Sequence, residues 1–308
     1  MPAAVFEHEA LLYEGTDGFL DGVVPFVREG IASGEAVGIA LSVEKTARVR
    51  EALGADADAV TFVAMERLGR NPGRIIPAWL DFAMTAAGPV RGVGEPVWAG
   101  RGPEELVECQ LHESLLNVAL AETPGFHLLC PYDTTALAPA VIHEARCSHG
   151  SVFEQGARSP SRLFRGGEDP VGPFDVPLPK PPTSAEHVSF DRSGLAEVRR
   201  AVGAAAQRSG LDRARCDDLV LAVSEIAANS LIYGGGQGIL RIWRQGDGIV
   251  CEVRDRGHIA DPLIGRRRPR PDQIGGWGVW IAHQVCDLVQ LRSGPEGTVV
   301  RLHAIPGS

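Results

Sequence analysis

The 308 residues contain no apolar run approaching the ~20 needed to cross a bilayer, so no membrane-spanning helix is expected. The opening stretch, MPAAVFEHEALLYEG, lacks the basic start and apolar centre of a secretory leader. Cysteine is sparse: six thiols, at 109, 130, 147, 216, 251 and 286, with no CxxC pair. Scattered thiols without an export signal are expected to be reduced, mostly buried and cytoplasmic. Lysine is almost missing, at 2 of 30 basic residues, and neither half has the basic excess that nucleic-acid binding needs. Residues 1–150 carry net −11, residues 151–184 are neutral, and residues 185–308 carry net +2, giving −9 in all. Phosphate neutralisation supplies most nucleic-acid affinity, so direct DNA or RNA binding is not expected. What is present is the composition of a globular chain, 44% hydrophobic and 22% charged, long enough for two cores.

The clearest break is the Pro-, Gly- and Ser-rich stretch GARSPSRLFRGGEDPVGPFDVPLPKPPTSA. It divides the chain into an N-terminal domain at 1–155, a semi-rigid linker at 156–185 and a C-terminal domain at 186–308. Upstream, apolar runs at 36–41, 60–64, 89–94 and 126–130 read as buried strands, and 44–53, 75–85, 103–121 and 138–145 as helices between them. That alternation predicts a parallel sheet with helices on both faces. Downstream, helices are expected at 195–209, 213–233 and 278–289, and strands at 239–245, 249–254 and 299–304, forming a two-layer α/β sandwich.

Four pieces of the C-terminal half point to nucleotide chemistry. In LAVSEIAANSL (221–231), Glu225 and Asn229 lie four apart and so share a helix face. A carboxamide oxygen suits Mg²⁺, and a carboxylate one turn earlier can polarise a hydroxyl for attack on phosphate. Asp255-Arg256-Gly257 follows a strand, where an acid can accept from an adenine amino group and glycine lets backbone approach the ring. Gly275-Gly276-Trp277-Gly278 opens a helix, where bare amides and the helix dipole attract phosphate. Gly297-Thr298 begins the last strand, placing a hydroxyl to support the adenine-side acid.

These four pieces resemble the N, G1, G2 and G3 boxes of the GHKL (Bergerat-fold) ATPases, across residues 186–305. The resemblance is nearest to the ATPase domains of anti-sigma-factor serine/threonine kinases. It implies ATP and Mg²⁺ as cofactors, Asn229 on Mg²⁺, Glu225 as base and Asp255 reading adenine. Gly257, Gly275, Gly276 and Gly278 would then shape pocket and lid, with Thr298 behind them. It also implies a sigma factor or an anti-anti-sigma protein as partner, and a homodimer packed through the ATPase domain. The lid segment at 258–274 departs from the family in carrying Arg266, Arg267, Arg268 and Arg270. It reads equally as a basic cover for the triphosphate and as a solvated loop, while Trp277 and Trp280 read as packing residues. A histidine kinase needs a phosphoacceptor on a dimerising helix, and the nearest histidine, His187, falls in an extended-looking stretch. The alternatives left open are a nucleotide-gated binding protein without transfer and an atypical histidine-kinase-like protein.

In the N-terminal half, Lys45-Thr46 follows the strand at 36–41, but Ile39 and Glu44 stand where a P-loop has glycine. This half is not expected to hydrolyse nucleotide. His8-Glu9-Ala10-Leu11 with Tyr13, Arg70-Asn71-Pro72, GVGEPVW (92–98), ECQLHE (108–113) and Cys130-Pro131-Tyr132-Asp133 are similar to the MEDS sensory domain, a degenerate RecA-like module, over residues 5–150. The resemblance implies a small organic ligand. A pocket is expected at the carboxyl ends of the strands, near Glu95 and Trp98 and near Cys130, Tyr132 and Asp133. Glu108, Cys109, His112 and Cys130 lack structural-zinc spacing and read as a packed polar cluster.

Overall fold

The computed structural model describes residues 6–270, 272–273 and 275–307. Of the expected lid, Pro271 and Ile274 lie outside the described residues, as does residue 5 of the expected sensory domain. The chain divides into two compact units, Met1–Phe174 and Asp175–Ser308. No helix among the described residues is long and apolar enough to cross a membrane.

Among the described residues, the first unit is built on seven strands: β1 (Glu7–Tyr13), β2 (Ala36–Leu41), β3 (Val60–Ala64), β4 (Val90–Gly94), β5 (Phe126–Asp133), β6 (Ser151–Glu154) and β7 (Ala157–Pro160). Their spatial order is β3-β2-β4-β5-β1-β6-β7, parallel throughout except that β7 returns antiparallel to β6. Helix α1 (Gly15–Ala32) lays Phe19, Val23 and Val27 on one face, against Val37, Ile39, Val93 and Leu129. The helices that follow are α2 (Val43–Leu53), the single turn α3 (Met65–Leu68) and α4 (Ile75–Thr85). α4 lies on the opposite face, where Trp79 sits over Gly38, Gly92 and Gly94. A Cβ at any of these three would come within 3.2 Å of the indole, so the strands are glycine-lined where the ring must fit. The unit is completed by α5 (Pro103–Ala119) and α6 (Pro139–Ser148).

β1 and α1 have no counterpart in the sequence expectation. α1 contains Pro25 and four glycines, which depress helix propensity, and burial of its apolar stripe overrides that. One glycine is required by close approach: a Cβ at Gly22 would stand 2.5 Å from Leu11 Cδ1 of β1.

The expected linker at 156–185 also differs from what is found. Gln155 and Gly156, with φ of 51° and 77°, turn β6 into β7, so the first sheet continues to Pro160. Phe174 is buried in the first unit. The proline stretch then lies along the outer face of the second sheet, where Val176 O accepts from Arg292 Nε at 3.2 Å and Pro179 O accepts from Arg301 Nη2. Proline has no N–H for a ladder but keeps its carbonyl, which suits a strap held by arginines.

Among the described residues, the second unit has five antiparallel strands and three helices in the order β8 (Glu186–Asp191), α7 (Leu195–Arg208), α8 (Arg213–Tyr233), β9 (Gln237–Gln245), β10 (Gly248–Asp255), α9 (Trp277–Val285), β11 (Leu288–Gly294) and β12 (Gly297–Ala304). The sheet order is β11-β12-β10-β9-β8. The central helix α8 starts where the Asp212 carboxylate accepts from Arg215 N at 2.9 Å. It buries Leu219, Ala222, Val223, Ile226 and Ala227 against the sheet, making the two-layer sandwich. The expected helix at 278–289 overran: α9 stops at Val285, Cys286 is extended, and Leu288 begins β11. The apolar residues Val285, Leu288 and Val289 keep helical spacing, yet Asp287 N bonds His303 O and the ladder with β12 takes over. His187 sits on β8, paired with Arg241 of β9, so it belongs to the sheet and to no helix.

Candidate functional site

The four nucleotide-type pieces meet around α8. Glu225 and Asn229, partly exposed, face the start of α9: a Cβ at Gly278 would lie 2.8 Å from Asn229 Nδ2, 3.2 Å from Glu225 Cβ and 3.4 Å from Glu225 Oε2. One turn further along α8, Tyr233 OH would be 3.3 Å from a Cβ on Gly275. Gly275 and Gly276 have φ of 90° and 85°, backbone that favours glycine, and Gly276 is the N-cap of α9. A carboxylate and a carboxamide thus stand beside bare backbone at a helix N-terminus, a donor set that fits a magnesium–phosphate group.

Asp255 closes the other side at the end of β10. Gly257 N donates to its Oδ1 at 2.7 Å and Ser230 Oγ to its Oδ2 at 2.5 Å. Gly257 fits because a Cβ there would be 2.9 Å from Tyr233 O and 3.0 Å from Asp255 Oδ1. Thr298 pairs in register with Asp255, but its hydroxyl donates to Gly257 O at 2.9 Å and contacts Ser293 Oγ at 2.8 Å. The acid is therefore held by Ser230, and Thr298 supports the glycine turn instead. Ser230 and Gly234 have no place in the sequence expectation. A Cβ on Gly234 would fall 2.4 Å from Asp255 Cγ, so this glycine is there for the carboxylate.

In the lid, Arg266 is buried while Arg267, Arg268 and Arg270 are exposed. The base of the lid packs on α9, where a Cβ at Gly265 would meet Val279 Cγ1 at 2.5 Å. Trp277 and Trp280 stack edge-to-face at 5.8 Å, and Arg268 lies 5.9 Å over Trp280. Packing is the role the structure gives the two indoles.

A cavity of about 270 Å³ opens at the carboxyl ends of the first unit's strands, lined by Ser42, Lys45, Glu95, Trp98 and Asp133 among others. Lys45 Nζ donates to Tyr13 OH at 2.7 Å and to Glu95 Oε1, and lies 5.3 Å over the rings of Tyr13 and Phe19. Burial raises the Glu95 carboxyl above its ordinary range and the Tyr13 phenol likewise. The lysine of the P-loop-like stretch is thus spent inside the protein. The amides beside it are occupied too, Lys45 N by Ser42 Oγ and Val43 N by Glu66 Oε1. Cys130 and Tyr132 do not line this cavity: Cys130 Sγ lies 3.4 Å from His8 Nε2, and the Tyr132 ring packs on His149. All six cysteines are free and buried.

A family model described as MEDS, the MEthanogen/methylotroph, DcmR Sensory domain, matches residues 7–150, and one described as a histidine kinase-like ATPase domain matches residues 188–304. No curated protein matches the chain significantly. Fifteen chains of solved structures do. One holds the RsbU and RsbW domains of Rv1364c from Mycobacterium tuberculosis, at 21% identity and a TM-score of 0.31, the match covering 41% of this chain and 33% of that one.

Proposed function

Because the chain joins a MEDS sensory domain to a histidine kinase-like ATPase domain, we propose that it is an anti-sigma-type regulator that phosphorylates a partner protein under small-molecule control. The second unit binds ATP with Mg²⁺ and transfers phosphate to a serine or threonine. The observation carrying this reading is the meeting of Glu225 and Asn229 with the bare backbone of Gly278, together with an Asp255 carboxylate held by Ser230 of the same helix. Asn229 would hold Mg²⁺ through its carboxamide oxygen, and the ion would offset phosphate charge. Gly275, Gly276 and Gly278 leave amides open to phosphate, Asp255 accepts from the adenine amino group, and Glu225 takes the proton of the attacking hydroxyl. The partners that fit are a sigma factor and an anti-anti-sigma protein. The sensed compound is small and organic, of a size for the cavity beside Lys45 and Glu95.

Calorimetry on the full chain tests the first step: ATP should bind only with Mg²⁺, and Asn229→Ala should abolish that metal dependence. An Asn229→Ala protein with unchanged Mg²⁺-dependent affinity removes Asn229 from the site. Glu225→Ala should keep ATP binding but lose phosphoryl transfer by about two orders of magnitude or more, as for a lost general base.

A second reading is nucleotide-gated capture without transfer. Leu221 and Ile232 are 45% and 69% exposed and flank Glu225 and Asn229 on one face of α8, an apolar surface suited to a docked protein. Absence of radiolabelled phosphate on a copurifying partner, with ATP-dependent retention of that partner, selects this reading.

A further inference from the structure

The first unit contains a cluster apart from the cavity beside Lys45 and Glu95. His8 of β1, Glu113 of α5, Cys130 of β5 and His149 after α6 turn one ligand atom each toward a common point, all within 4.8 Å of one another. His8 Nε2 and His149 Nε2 lie 3.1 and 3.2 Å from the same oxygen, Glu113 Oε2, and Cys130 Sγ is 3.4 Å from His8 Nε2. Ligand atoms around a tetrahedral zinc ion at ~2.0–2.3 Å are roughly 3.3–3.6 Å apart, so these edges are close to those of a filled site. The cluster is closed to solvent, with His149 0% and Glu113 1% exposed.

The hydrogen bonds behind the cluster decide what belongs in it. His149 Nδ1 lies 2.7 Å from Ala145 O, a pure acceptor, so that nitrogen carries the proton. His8 Nδ1 faces Asn117 Oδ1 at 3.1 Å. The Asn117 amide is fixed in that orientation because its Nδ2 donates to the carbonyls of Ser148, Ser114 and Glu113 at 2.8, 3.3 and 3.4 Å. His8 therefore donates from Nδ1 as well. Each ring then turns its Nε2 toward the same carboxylate oxygen. The single S–H can serve one acceptor. His149 Nε2 and Glu113 Oε1 are in no hydrogen bond. Two imidazole nitrogens, a thiol and a carboxylate converging in a dry pocket form a donor set that a bound cation would satisfy.

We propose that His8, Glu113, Cys130 and His149 bind one divalent transition-metal ion of the zinc class. The donor set of two imidazoles, a thiolate and a carboxylate suits Zn²⁺, with Co²⁺ and Fe²⁺ as chemical relatives. Asn117 and the Ala145 carbonyl orient the two rings from behind, as outer-shell acceptors do for ligand histidines. On binding, Cys130 releases its proton to solvent and becomes the thiolate ligand.

The test uses the full chain, without nucleotide. Protein from zinc-supplemented culture should contain close to one zinc per chain by elemental analysis. After removal with a chelator, Co²⁺ titration should produce the ligand-field bands of four-coordinate cobalt and a thiolate-to-cobalt charge-transfer band. Cys130→Ser should remove the charge-transfer band, whereas Cys216→Ser should keep it. Asn117→Ala should weaken binding by roughly 10–100-fold, the usual cost of an outer-shell change. If Cys130→Ser fails to fold, the wild-type cobalt spectrum still decides. Metal-free protein with no thiolate band on cobalt addition, or a thiolate band that persists in folded Cys130→Ser, overturns the proposal.

Discussion

At the scale of the residue, the acid at the end of β10 is oriented by two donors, Ser230 Oγ at 2.5 Å and Gly257 N at 2.7 Å, one on each carboxylate oxygen. Hydrogen bonds to a charged group contribute about 1.5–3 kcal/mol. Ser230→Ala is therefore expected to weaken ATP binding by about tenfold or more in calorimetry, without altering its dependence on Mg²⁺. Gly234→Ala should be more damaging. Its Cβ would fall 2.4 Å from Asp255 Cγ, so the carboxylate has to leave its rotamer. A Gly234→Ala protein that binds ATP like wild type would show that Asp255 is not read by the nucleotide. The two changes also mark what a sequence can and cannot disclose. Glu225 and Asn229 are legible because their relation is local, four residues on one helix. Ser230 reaches an atom 25 positions away, across a register of α8 against β10 that no local pattern encodes. Gly234 matters through an atom it does not have.

At the scale of the element, the buried strand β2 is legible in its continuous apolar run and has the expected bounds; β3 has the expected bounds too, but as the edge strand of its sheet it is only partly buried. α1 is not legible, since its glycines and Pro25 interrupt a helical pattern that only tertiary packing sustains. Nor is the α9–β11 boundary, because periodicity continues through a change of backbone. The strap at 175–182 differs from the expected linker for another reason: proline-rich composition suggests a spacer, and only the arginines of β11 and β12 reveal that it is anchored. A fragment beginning at residue 175 should therefore melt higher than one beginning at 186. Two lost hydrogen bonds at ~1 kcal/mol each imply about 5 °C or more by calorimetry. Equal melting temperatures would reduce the strap to a surface decoration. Acid should act on the first unit at the contact between α1 and β4. Arg91 Nη1 donates to Glu29 at 2.7 Å and holds that carboxyl below its ordinary range. A lowered acid contributes its full stabilisation above its unfolded-state pKa and loses it as pH falls through the folded-state value. The urea midpoint of the first unit should thus decline on acidification through the carboxylate range, and less steeply in Glu29→Gln. The difference should be small, since the Glu29 side chain is 64% exposed.

At the scale of the whole molecule, two units with separate cores predict two unfolding transitions. A ligand shifts only the transition of the unit it binds. MgATP at ~100 times its dissociation constant should stabilise the second unit by about 2.7 kcal/mol, roughly 10 °C for a domain of this size, and leave the first in place. Asp255→Asn should erase that shift in scanning calorimetry. Movement of both transitions together would mean that the units unfold as one. Sensory control adds a comparison of phosphoryl transfer by the full chain and by residues 175–308 across a panel of small organic compounds. Equal, compound-independent activity of the two would remove the sensor role from the first unit.

The placement of the thiols supplies its own clock. Three cysteines are buried in each unit, 109, 130 and 147 in the first and 216, 251 and 286 in the second. Burial raises the Cys251 thiol and brings Cys109 up to about 12, so neither presents thiolate while its unit is closed. An alkylating reagent can then reach them only in molecules that have momentarily opened. Its rate of incorporation, resolved by peptide, reads the opening free energy of each half separately in the native chain, with no label or mutation introduced.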